Sequence, residues 1–155
     1  MSGREPPVAR ECVEGYLFSR DPTRLLVLRR PPSRGSVWVP VSGKVEATDS
    51  DLEAALRREL NEETGLKEPR AIWPLDWHVV FPAPNGETWR LHAYAVEVDP
   101  GFEPALSAEH DAFAWVAADE ALRRLHFDDN REAVRRLLAR APSGETQGVG
   151  VRRNL

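Results

Sequence analysis

Cysteine and lysine are nearly missing from this chain: Cys12 stands alone, and of the 21 basic residues only Lys44 and Lys67 are not arginine. A lone cysteine excludes an intrachain disulfide framework and suits a reducing compartment. No apolar run approaches the roughly 20 residues that cross a bilayer. The opening Met1-Ser2-Gly3-Arg4-Glu5-Pro6-Pro7 lacks the apolar stretch of a secretory leader. Positive charge is also short: the formal net charge is −4 and the pI near 5.6, so the basic footprint of a general nucleic-acid binder is absent. What remains is 155 residues, 41% hydrophobic and 30% charged, the size and balance of one globular domain with a single core. The expectation is a cytoplasmic domain over residues 8–140, with flexible termini at 1–7 and 141–155. It should be a monomer or homodimer that engages neither membrane nor nucleic acid. The excess of arginine fits a bidentate grip on phosphate.

Short strand-like runs alternate with helical stretches. Residues 8–18 and 24–28 read as strands around the turn signal Asp21-Pro22. Residues 37–41 are a short apolar run interrupted by Pro40, which places a strand end there. Residues 71–81 and 89–98 flank Pro82-Ala83-Pro84-Asn85-Gly86 and predict a long hairpin. Residues 113–116 make a last strand. Ser50-Asp51-Leu52-Glu53 has capping-box spacing, with Ser50 as N-cap, and opens a helix that stops at Gly65. Further helices are expected over 119–125 and 130–140. One helix amid the strands and others at the end imply an α/β fold of three α/β/α layers.

The middle helix carries the chemistry. On a wheel of about 100° per residue with Leu52 at zero, Leu56, Leu60 and Ala55 fall within about 80° of it and define the buried face. Glu59 and Glu63 land within about 20° of the same origin, and Glu62 about 80° away, on the edge of that face. Carboxylates directed inward need a cation or donors, because an unpaired buried charge is very costly. Spacing of i, i+3, i+4 aims three carboxylates at one point, which suits a hard divalent ion such as Mg²⁺. The alternative is a solvated face of i,i+4 pairs with Arg57 and Arg58. Ahead of the helix, Gly43-Lys44-Val45-Glu46 forms a glycine-led loop that can bring backbone close to phosphate or metal.

The stretch Gly43–Leu66, GKVEATDSDLEAALRRELNEETGL, resembles the signature of the Nudix hydrolases, G-x5-E-x7-R-E-U-x-E-E-x-G-U with U a bulky aliphatic residue. Arg58, Glu59, Leu60, Glu62, Glu63, Gly65 and Leu66 match its second half throughout. The first half departs from it: one residue is inserted, and the first glutamate is replaced. Its place falls at Asp49 counting from Gly43 and at Ser50 counting from Arg58, with Asp49 or Asp51 as possible substitutes.

The resemblance implies the Nudix α/β/α sandwich around a mixed sheet, and Mg²⁺- or Mn²⁺-dependent hydrolysis of a nucleoside diphosphate linked to another moiety. Carried over by position, Arg58, Glu59, Glu62 and Glu63 are the catalytic set. Glu59, Glu62, Glu63, the Ser42 carbonyl and Glu109 are the metal ligands. Arg30 matches a phosphate-contacting position, and Asn130 one that reads the base. Lys44 and Trp38 complete the expected substrate contacts, Trp38 by stacking. The segments around Trp38–Lys44 and Glu109–Ala133 are most similar to dihydroneopterin triphosphate and other nucleoside triphosphate pyrophosphohydrolases. Diadenosine polyphosphate and ADP-ribose hydrolases, and a non-catalytic nucleotide-binding module, are the alternatives. His78, His92, His110 and His126 show no zinc spacing.

Overall fold

The computed structural model describes residues 7–140; apart from Pro7, the expected termini lie outside the described residues. Strand β1 (Arg10–Ser19) is the centre of a mixed sheet, and its residues 12–19 are all buried, the continuous pattern of a strand covered on both faces. Val13 and Leu17 point to one side, Tyr16 and Phe18 to the other. β1 pairs antiparallel with β2 (Arg24–Arg29) and, further along, with β4 (Val41–Lys44); it pairs parallel with β6 (Thr88–Glu97). β6 forms the expected hairpin with β5 (Ala71–Pro82). β2 also carries β3 (Trp38–Val39) and β7 (Ala112–Val116).

Helix α1 (Leu52–Thr64) covers one face, closing Leu56 and Leu60 over Val13, Leu17 and Val96. Helices α2 (Ala118–Arg124) and α3 (Asp128–Arg140) cover the other, where Ala121, Val134 and Leu137 meet Phe18, Val27 and Ala95. Each fully buried leucine contributes roughly 1.5–3 kcal/mol. The architecture is the α/β/α sandwich expected.

The differences are local. β1 starts at Arg10 instead of Val8. The 37–41 run divides at Pro40, which has no N–H to give a ladder, so that β3 pairs with β2 while β4 crosses to β1. The N-cap of α1 is Asp51, not Ser50: its carboxylate accepts from the Ala54 N–H at 2.8 Å, and a carboxylate there also meets the positive end of the helix dipole. Gly65 ends the helix in a left-handed conformation (φ 77°), its N–H donating to the Asn61 carbonyl. α2 and α3 begin one and two residues earlier than expected.

Candidate active site

Hydrophobic periodicity holds α1 against the sheet, and that same docking drives two of its carboxylates inward. Glu59 and Glu63 are buried with Ala55, Leu56 and Leu60, whereas Glu62 stays exposed on the flank. Gly43, on β4, lies directly against Glu59: a Cβ added there would fall 2.0 Å from the Glu59 carboxyl carbon. Any larger residue would displace that carboxylate, so glycine here is a requirement of close approach.

Arg58 ties the loop after β4 to the helix. Its Nε and Nη2 donate to the two oxygens of Asp49 at 3.0 and 2.7 Å, Nη2 also to the Lys44 carbonyl at 3.0 Å, and Nη1 to Glu59 at 2.8 Å. Glu62 lies 3.5 Å from the same guanidinium. Asp49 in turn accepts from the Glu46 N–H at 2.7 Å. The Arg58 bonds and that backbone bond hold the Asp49 carboxyl down at about 2, and the pairing raises the Arg58 pKa. The inserted residue therefore does not cost Arg58 its acidic partner: Asp49 takes that place, and Asp51 is spent on the helix cap.

Glu63 is the anomaly. It is 1% exposed, and neither of its oxygens meets a hydrogen-bond donor. Burial first, then the neighbouring Glu59 carboxyl and the charge of Glu109, push its pKa up to about 10, against the pull of the Ser42 backbone. Among the described residues no three His, Cys, Asp or Glu side chains already converge on one point. Two fully buried acceptor oxygens with no donor are nonetheless a donor set that a divalent ion would satisfy and little else would.

Glu109 and His110 come from the loop before β7. Thr64 accepts from the Ala105 N–H, the Arg29 carbonyl accepts from the Asp111 N–H, and the Arg29 side chain bonds Asp111 at 2.9 Å. These anchors fix the loop between the end of α1 and the end of β2. Glu109 is exposed there, near enough to influence both Glu63 and Arg30. Arg30 is half-buried and also feels Glu63 and Glu14; its guanidinium lies over the exposed ring of Phe127, 5.8 Å from the centroid. His110 is buried with Nδ1 unpartnered, 3.9 Å from Glu63 Oε1. Burial, with the charges of Arg30 and Arg34, lowers its pKa to about 4.

The remaining expected residues are more dispersed. Ser42, on β4, reaches Glu63 through its backbone. Lys44 is exposed, with Nζ 5.0 Å from the Trp89 ring centroid. The guanidinium groups of Arg29 and Arg124 lie 5.8 and 5.0 Å from the Trp38 ring centroid, so its ring already has cationic neighbours. Asn130 is wholly buried inside α3: Nδ2 donates to Tyr16 OH at 3.0 Å and to Glu14 Oε2 at 3.3 Å, and Oδ1 accepts from the Phe127 N–H. Its amide is consumed within the fold. Glu14, whose other oxygen accepts from Tyr16 OH at 2.6 Å, was invisible to periodicity because it occupies a core position of β1. Phe127 and His110 were missed too, since their neighbours come from distant segments.

The NUDIX domain family matches residues 11–137. A Myxococcus xanthus octanoyltransferase is 40% identical over 138 residues, 86% of this chain; the chain spans only 38% of that protein. The dihydroneopterin triphosphate diphosphatase of Haemophilus influenzae is 30% identical, over 79% of this chain and 83% of its own. In three dimensions the chain is similar to the dihydroneopterin triphosphate pyrophosphohydrolase of E. coli, with a TM-score of 0.74 and 20% identity, covering 87% of this chain and all of that one.

Proposed function

The chain belongs to the NUDIX family, and we propose that its residues 8–140 form a single domain that hydrolyses a phosphoanhydride in a nucleotide-linked diphosphate with a divalent ion, Mg²⁺ or Mn²⁺. The substrate we assign is a nucleoside or pterin triphosphate, cleaved to the monophosphate and pyrophosphate. The observation that carries this is Glu63: a buried carboxyl without a donor, beside Glu59, on a helix locked by Arg58. The similarity to a dihydroneopterin triphosphate diphosphatase over most of both chains supports the substrate class.

In this reading Glu59, Glu62, Glu63, Glu109 and the Ser42 carbonyl would hold the cation. When bound, the ion neutralises phosphate charge and lowers the pKa of water. Arg58 acts as a positioning residue, since its contacts run to Asp49, Lys44 and Glu59. Arg30, half-buried and within electrostatic reach of Glu63 and Glu14, is the cation that faces the phosphates, with Lys44 further out. Burial of Glu59 and Glu63 raises the strength of every charge interaction around them. Glu63, which holds its proton at neutral pH in the metal-free protein, must release it as the cation binds.

The M. xanthus relative supports no acyl-transfer reading: the match covers a minor part of that protein, and the thiol of Cys12 is buried, with burial raising its pKa. Among the described residues no helix is long and apolar enough to cross a membrane; a cytoplasmic, small-molecule enzyme acting as monomer or homodimer without nucleic acid is part of the proposal. The test is turnover of dihydroneopterin triphosphate, the dNTPs, diadenosine polyphosphates and ADP-ribose with Mg²⁺ and with Mn²⁺. Pyrophosphate release from a triphosphate is expected. Cleavage of only the dinucleotides or ADP-ribose would move the substrate class, and no turnover of any of them would favour a binding module.

A further inference from the structure

Two buried groups share one defect. Both Glu63 oxygens and His110 Nδ1 lack hydrogen-bond partners, and Nδ1 stands 3.9 Å from Glu63 Oε1. They belong to segments far apart in sequence, so their meeting depends on the anchored loop before β7: the Asp111 N–H on the Arg29 carbonyl, and the Ala105 N–H on the Thr64 carbonyl at the end of α1. The approach is thus fixed on both sides. We propose that His110 is the positioning residue of Glu63, donating Nδ1–H to Oε1 when the carboxylate holds a divalent cation, and so fixing which oxygen faces the ion. This deepens the metal-dependent reading above and rests on it.

Direct ligation by His110 fits less well. Glu59 and Glu63 are close neighbours, but no three such side chains converge on one point among the described residues, so His110 does not complete a ligand set with the carboxylate pair. A hard, oxygen-preferring ion also gains little from imidazole. A carboxylate ligand, by contrast, is ordinarily held by a hydrogen bond from behind, and loss of such a partner costs about 10- to 100-fold in metal affinity. A neutral imidazole suits the task, because an imidazolium would neutralise Glu63 and compete with the cation. Burial first, and then the guanidinium groups of Arg30 and Arg34, oppose a positive charge on the ring, while Asp111 favours one.

The test is Mn²⁺ binding, followed by calorimetry without substrate, to the full chain, to His110→Phe and to His110→Asn. The phenylalanine keeps a ring without nitrogen, and asparagine returns an N–H near the Nδ1 position. We expect His110→Phe to weaken Mn²⁺ binding by about 10- to 100-fold and His110→Asn to recover most of that loss. In the unaltered protein, long-range ¹⁵N–¹H correlation should show His110 protonated on Nδ1 in the Mg²⁺-loaded form, a readout that simple packing would not dictate. Affinity of His110→Phe within twofold of the original overturns the proposal, as does a proton on Nε2 with a bare Nδ1. The second result decides the matter even if the phenylalanine variant does not fold. Failure of the unaltered chain to bind Mn²⁺ sinks the metal reading itself, and that outcome is distinct from normal binding that ignores His110.

Discussion

Glu14 and Glu63 are both buried carboxyls, on opposite faces of the same sheet, and burial raises both pKa values, to about 8 and about 10. Their partners differ completely. Glu14 accepts from Tyr16 and Asn130 and closes a network that fastens α3 to β1. Glu63 accepts from nothing. A buried polar group that is satisfied contributes to the fold, whereas one left unsatisfied is a cost that the fold carries for something yet to bind. The contrast separates anchoring from function with no appeal to similarity, and it can be broken at either end.

The largest effect should come from the unsatisfied side. Glu63→Gln keeps the shape but removes the charge that a cation needs, and kcat should fall about 10²-fold or more, on the order of 3 kcal/mol of transition-state stabilisation. The metal-free protein should respond in the opposite sense. With a folded pKa of about 10 against an ordinary 4.5, native Glu63 retains a proton that the unfolded chain releases, so the original protein loses stability as pH rises between those values. Glu63→Gln lacks that loss and should melt higher above neutral pH. Melting curves with EDTA at pH 6 and pH 9, beside kcat, read both halves. Unchanged turnover would move the metal centre away from Glu63.

On the satisfied side, Asn130→Ala removes three hydrogen bonds and strands the Phe127 N–H. It should cost about 2–3 kcal/mol of stability by chemical denaturation, with Mn²⁺ affinity within about threefold of the original, since the metal carboxylates keep their partners. Loss of Mn²⁺ binding at full stability would mean that Asn130 belongs to the site instead of the scaffold.

Asp49→Asn is expected to have a smaller effect. The box read by spacing alone makes Asp49 and Asp51 equivalent stand-ins for a displaced glutamate; in space Asp49 holds Arg58 by two bonds and Asp51 caps α1. Losing one of these charge-assisted pairs should lower kcat/KM about five- to tenfold, while Asp51→Asn leaves it within about twofold, because asparagine caps helices as well. Steady-state kinetics on the two variants compare them directly; equal effects would mean that Arg58 does not depend on Asp49.

How far the sequence reaches is clear from these same residues. The 3.6-residue period of α1 puts Glu59 and Glu63 inward and Glu62 on the edge, because helix geometry is local and rigid. The strand-like runs of β1, β5 and β6 mark the sheet for the same reason. The N-cap moved by one residue because Ser50 and Asp51 are both good caps, and only the path of the loop chooses between them. His110 has no ligand spacing in the sequence; its relation to Glu63 is created by the pairing of β7 with β2 and has no sequence period. Asn130 was expected at the substrate and lies in the core, since nothing in its neighbours reveals that Tyr16 and Glu14 wait behind it.

The smallest effect is the sharpest test of the contrast. Near pH 6 Glu14 should already be neutral, so Glu14→Gln replaces one neutral group by another of the same shape. The remaining acceptor for Tyr16 survives, and the cost should be below about 1 kcal/mol. The difference appears as pH rises. Folded Glu14 keeps its proton until about pH 8 while the unfolded side chain has released it above about 4.5, so the original protein loses up to about 1.4 kcal/mol per pH unit over that window. Glu14→Gln is free of this term and should gain steadily on the original between pH 6.5 and 8. His110, with its folded pKa lowered to about 4, acts with the opposite sign and only below its ordinary 6.5, so it is silent in this range. Saturating Mn²⁺ holds Glu63 ionised and removes its contribution from the comparison. Stabilities from urea unfolding in Mn²⁺ at pH 6.5, 7.25 and 8 should therefore converge or cross. Parallel profiles for Glu14→Gln and the original would mean that Glu14 is ionised throughout, held by its donors and Arg30, and that burial alone does not set the two carboxyls apart from the solvent-exposed acids around them.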